Sequence, residues 1–166
     1  MTTTQTAPAM ADPAAPADFA SLAAQPIGYW SWVANKAVIQ HIRGAMARVD
    51  ITQFQWWILN QAHAAGGSGL TREQIRDNLC PVLDVGADTI VQSVDSLLAR
   101  GWLSADDQGF LHLTDAGREA KERTKEVVAR VRGEIHAGIT DEEYVAALRV
   151  LQRMIENVGG GEPSSL

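Results

Sequence analysis

The chain has 166 residues, enough for one domain with a sizeable core, and 46% of them are hydrophobic. A formal net charge of -6 and a pI near 5.1 exclude a molecule drawn as a whole to nucleic acid or to an acidic membrane, so any grip on a polyanion must come from a local patch. The single cysteine, Cys80, excludes an internal disulfide framework and fits a reducing cytoplasm, the expected location.

Residues 1–25 are rich in Thr, Ala and Pro, with no basic start and no continuous apolar run. They match neither a secretion signal nor a membrane span and read as a disordered tail. From Ile27 to Val49, Trp30, Ala34, Val38, Ile42, Ala45 and Val49 recur at three or four residues, which predicts a long amphipathic helix. Ile51 to Leu59 predicts a second helix capped by Thr52. Thr71 with Gln74 three residues later is a capping-box signal for a short third helix through Leu79. A turn from Cys80 to Gly86 follows, with Pro81 as a stop.

Ala87 to Arg100 predicts the next helix. Ile90, Val94, Leu97 and Leu98 fall on one face, leaving Thr89, Gln92, Ser93 and Ser96 outward, and Gly101 ends it. Trp102-Leu103 and Phe110 to Leu113 predict two short strands around a polar turn, a minimal wing. Thr114 caps a helix running to Ala137, and Thr140 caps a last one in which Tyr144, Leu148, Leu151, Ile155 and Val158 form nearly a heptad seam. That seam needs a cover, either the chain's own core or a second subunit; the apolar area predicts a homodimer. Residues 159–166 read as a flexible tail.

Taken in order, Ile51-Thr52 with Gln55-Trp56, Leu70-Thr71, Leu97 with Arg100-Gly101, and Leu113-Thr114-Asp115-Ala116-Gly117 resemble the MarR family of bacterial regulators, over roughly Ile27 to Val158. The last group looks like that family's Leu-Thr-x-x-Gly junction between wing and dimerisation helix. The resemblance implies a mainly α fold with a small β-wing. A winged helix-turn-helix over residues 51–116 would be flanked by dimerisation helices at 27–49 and 117–158 that interlock between subunits. It also implies a DNA-binding transcriptional regulator, a dimeric repressor responsive to a small aromatic ligand.

The contact positions depart from that family. Between Ile51 and Gly117 three arginines, Arg72, Arg76 and Arg100, face eight acidic residues. The recognition positions hold Asp88, Thr89, Gln92 and Ser96, and the wing tip is Asp106-Asp107-Gln108-Gly109 where the family carries arginine. Two readings follow. In one, Thr89, Gln92, Ser93 and Ser96 meet base edges of double-stranded DNA while Arg72, Arg76 and Arg118 hold phosphates. In the other, a winged head that has lost DNA binding serves as a ligand-sensing or protein-interaction module.

Trp30, His41, Phe54 and Trp57 are candidates to line an effector cavity between the head and the dimer helices, although ordinary hydrophobic packing explains the cluster better. The four histidines are far apart and lack metal-ligand spacing, Cys80 has no nearby base to activate it, and no catalytic trio or phosphate loop stands out. Neither an enzyme nor a cofactor is expected.

Overall fold

The computed structural model describes residues 16–83 and 86–161, seven α-helices and one two-stranded sheet among them. These residues divide into two compact units, one ending at Ala37 and the other starting at Val38, within a single helix.

The first unit corrects the expectation of a tail to residue 25. Pro16–Ala23 is a helix, α1. Proline at a first helical position costs no hydrogen bond, and the alanines and leucine that follow are good helix formers. The rest of the expected tails, residues 1–15 and 162–166, lies outside the described residues. Helix α2, Ile27–Ala47, begins in this unit. Its Trp30 indole donates to the Gln25 side chain, Tyr29 meets the Trp30 ring edge-on, and the Lys36 ammonium sits 5.2 Å from the Trp32 ring centre.

The second unit carries the winged head. Helix α3, Gln53–Ala65, has a full capping box: Thr52 Oγ1 accepts from the Gln55 N–H while Gln55 Oε1 accepts from the Thr52 N–H. Helix α4, Arg72–Leu83, is held the same way by Thr71 and Gln74. It continues past the predicted end at Leu79, with Pro81 in its last turn. Proline's fixed φ matches helical backbone, so the helix loses only the bond to the Asp77 carbonyl. Helix α5, Ala87–Ala99, then ends at Arg100, and Gly101 takes the left-handed φ of 66° that turns the chain into the wing.

Strands β1, Leu103–Ala105, and β2, Leu111–Leu113, pair antiparallel in the register Leu103 to Leu113. Leu70 adds an isolated antiparallel bridge to β2 by exchanging backbone hydrogen bonds with Leu111. Helix α6, Asp115–Ile135, starts at the Thr114 cap, and α7, Asp141–Asn157, at a Thr140–Glu143 capping box.

Ile58, Leu59, Ile75, Leu79, Ile90, Val94 and Leu97 form the core of the head, closed below by Leu103 and Leu111 of the wing. Gly117 is dictated by close approach: a Cβ there would lie 2.0 Å from the Trp102 carbonyl oxygen. Ala45, Val127 and Val131 make a smaller cluster between α2 and α6. No residue of α7 is buried, and Leu148, Leu151 and Ile155 of its predicted seam stand exposed.

Candidate nucleic-acid interface and cavity

The candidate interface is built on α5. With Ile90, Val94 and Leu97 buried, Asp88, Val91, Gln92, Asp95 and Ala99 form the exposed face, at the spacing of one helical side. Of the four residues expected to look outward, Gln92 does so freely. Thr89 is half-buried, and its carbonyl accepts from the Ser93 hydroxyl at 2.8 Å. Ser96 faces inward: its Oγ accepts from Gln55 Nε2 at 2.9 Å. Gln55 is buried, and a buried amide must find partners, so it draws Ser96 towards α3.

The cations of the head are all occupied. Arg72 Nη1 lies 2.7 Å from Asp95 Oδ1, joining α4 to α5. Arg76 Nη2 lies 2.8 Å from Asp77 Oδ1, and this carboxylate raises the Arg76 pKa above its ordinary value. Arg118 donates to the Leu113 carbonyl at 2.8 Å and to the Asp115 carboxylate. Arg100 stacks on the Trp102 ring at 3.6 Å and pairs with the Asp50 carboxylate at 2.9 Å. Composition shows the excess of acid over base; the pairing partners of Arg72 and Arg100, distant in sequence, were not visible there.

The wing tip is acidic for a local reason. Asp106 Oδ1 accepts from the Gln108 and Phe110 N–H groups, and Oδ2 lies 3.0 Å from His112 Nε2. The bond from His112, then the Phe110 N–H, hold the Asp106 carboxyl below its ordinary pKa. Asp106 is therefore the turn's organiser rather than a free charge.

A cavity of about 350 Å³ opens between α2, α3 and α6, with Tyr144 of α7 at its edge. Ile42, Met46, Trp56, Trp57 and Val131 supply its apolar wall; Gln53, Arg132 and His136 supply polar groups. Trp57 is the one lining residue among the four expected. Phe54 packs against the core of the head, His41 pairs with Glu134 at 2.7 Å, and Trp30 belongs to the first unit with Gln25 and Tyr29 as its neighbours. Trp57 Nε1 is buried and has no hydrogen-bond partner among the described residues. Met46, Val131, Arg132 and Tyr144 were missed because three separate helices bring them together, which no local pattern encodes.

Three helices, a two-stranded wing and long flanking helices define a winged helix-turn-helix protein. No family model matches the sequence. Among solved structures, the reduced form of MarR from Escherichia coli is similar at 20% identity and a TM-score of 0.62, over 79% of this chain and 94% of that one. A MarR family protein of Mycobacterium tuberculosis, complexed with DNA, is similar at 18% identity and a TM-score of 0.60, over 82% of this chain and 99% of its own. A mutant Escherichia coli MarR complexed with operator DNA gives 19% and 0.61, over 78% and 94%. The fold of this chain is that of the MarR family of winged-helix transcriptional regulators. Among the described residues, no helix is long and apolar enough to cross a membrane.

Proposed function

We propose that the chain is a cytoplasmic DNA-binding transcriptional regulator, a dimeric repressor that responds to a small aromatic ligand. The observation that carries this reading is the presentation of α5. Its apolar side is locked into the core by Ile90, Val94 and Leu97, while Gln92, a side chain able to pair bidentately with adenine, stands free on the outer face. The solved structures with DNA named above share this fold, which favours the same use here. Arg72, Arg76 and Arg118 are the phosphate-holding candidates, each after exchanging its carboxylate partner. Salt-dependent gel shifts with the DNA upstream of its own gene test the reading, because phosphate attraction is strongest at low salt. A shift at low salt that weakens as salt rises is expected; no shift at any salt rejects it.

The dimer is supported by the unpartnered face of α7, where Leu148, Leu151 and Ile155 repeat at helical spacing in contact with water. The ligand is supported by the cavity. Its volume is at the small end of ligand sites, its wall is apolar, and Arg132 and His136 at one side suit an acid group. Trp57 fluorescence titrated with benzoate tests it, a saturable change being the expected result. The occupied arginines favour a second reading, a head that no longer binds DNA and serves as a ligand-sensing or protein-interaction module.

A further inference from the structure

We propose that Asp95 is a positioning residue that holds Arg72 back from DNA phosphate, so that the head's own carboxylate sets the strength of its grip. The inference rests on the DNA-binding reading. Asp95 lies on the exposed face of α5, one turn from Gln92 and two from Asp88. Arg72, the first residue of α4, reaches across to it with Nη1 at 2.7 Å from Oδ1, and the two side chains are 44% and 57% exposed. A duplex lying along α5 therefore meets two carboxylates, and the cation that joins α4 to that face is already neutralised. At that exposure an ion pair is weak enough for phosphate to displace, but the freed Asp95 then repels the same phosphate. Arg76 with Asp77 and Arg118 with Asp115 repeat the arrangement within single helices, where the partners are close in sequence. Only the Arg72–Asp95 pair spans the two helices of the reading head among these three.

Two effects of removing Asp95 separate cleanly. Loss of a like charge from the α5 face would follow equally from Asp88→Asn, since Asp88 stands on the same face with no ion-pair partner among the described residues. Release of Arg72 would follow only from Asp95→Asn.

The test is the affinity of the full chain for a short duplex across a salt series, for Asp95→Asn, Asp88→Asn, Arg72→Gln and the Asp95→Asn/Arg72→Gln pair. Asp95→Asn is expected to tighten binding at least about fivefold more than Asp88→Asn and to steepen the slope of log K on log salt by about 0.9, one added phosphate contact. Arg72→Gln is expected to weaken binding more in the Asp95→Asn background than in the unaltered protein, removing there the part of the gain that exceeds that of Asp88→Asn. Asp95→Ser, which also lacks the charge, serves should the amide disturb the fold. Equal gains from Asp95→Asn and Asp88→Asn, or the same cost of Arg72→Gln in both backgrounds, would overturn the inference while leaving DNA binding intact. No binding by any variant at low salt would instead reject the DNA-binding reading, and the inference with it.

Discussion

Gln55 Nε2 donates to Ser96 Oγ at 2.9 Å while Gln55 Oε1 accepts from the Thr52 N–H at 2.9 Å, so one buried side chain both caps α3 and tethers the candidate recognition helix. The orientation of α5 relative to the core is thereby tied to the start of α3. Replacing Gln55 by Leu removes both bonds and leaves the Thr52 amide without its capping partner. A loss of about 1–3 kcal/mol is expected by denaturant unfolding. Ser96→Ala should cost about 1 kcal/mol, because it strands the buried amide of Gln55. A Gln55→Leu protein as stable as the original would mean that the tether contributes nothing.

Gly117 gives a steric prediction. Its missing Cβ leaves room for the Trp102 carbonyl, which would otherwise lie at 2.0 Å, and Leu113 stands close on another side. Both the wing and the start of α6 would have to move for Gly117→Ala, at about 1–3 kcal/mol. Thermal unfolding checks this, and an unchanged midpoint contradicts it.

Acid should loosen the wing. Asp106 is held below its ordinary pKa by His112 and by the Phe110 and Gln108 amides. A carboxylate depressed in the folded state contributes stability that is present above its unfolded pKa and is lost as pH falls through the folded one. The Gln108 and Phe110 amide resonances are therefore expected to hold steady at neutral pH and to shift only in the acid range below ordinary carboxylate titration. Asp106→Asn should abolish that titration. A shift centred near neutral pH would contradict the assignment to Asp106.

The seam on α7 predicts a charge-disruption result. Leu151→Glu and Ile155→Glu place carboxylates on an exposed face that needs no desolvation in a lone subunit. Light scattering at micromolar concentration should give a dimer for the unaltered protein and a monomer for the double variant, with helix content retained. A monomer mass for the unaltered protein rejects the proposed dimer.

Much of this architecture is legible in the sequence because it is local. Thr52, Thr71, Thr114 and Thr140 announce four helix starts, and each accepts the expected backbone hydrogen bond. The apolar spacing of Ile90, Val94 and Leu97 identifies the buried side of α5, and Gly101 its end. Two local signals misled. Pro81 reads as a stop, yet a proline in a last turn forfeits one bond only, and an Ala/Pro-rich tail hides the α1 helix that Pro16 starts. The site was less legible because it depends on distant partners. Nothing near Ser96 reveals that Gln55 will claim its hydroxyl, nor does anything near Arg72 point to Asp95. The aromatic candidates show the same limit: Trp57 lines the cavity, while Phe54, three residues earlier, turns to the core.

In the proposed regulator the outer face of α5 lies against DNA. Titrating the isotope-labelled protein with a duplex from its own promoter at low salt, and following backbone amide shifts, measures that contact residue by residue. The largest shifts are expected along Thr89, Gln92 and Ser93, with Arg72 and Arg118 beside them, and they should fade as salt is raised. Shifts confined to α7 or to the cavity around Trp57, with α5 silent, would contradict it.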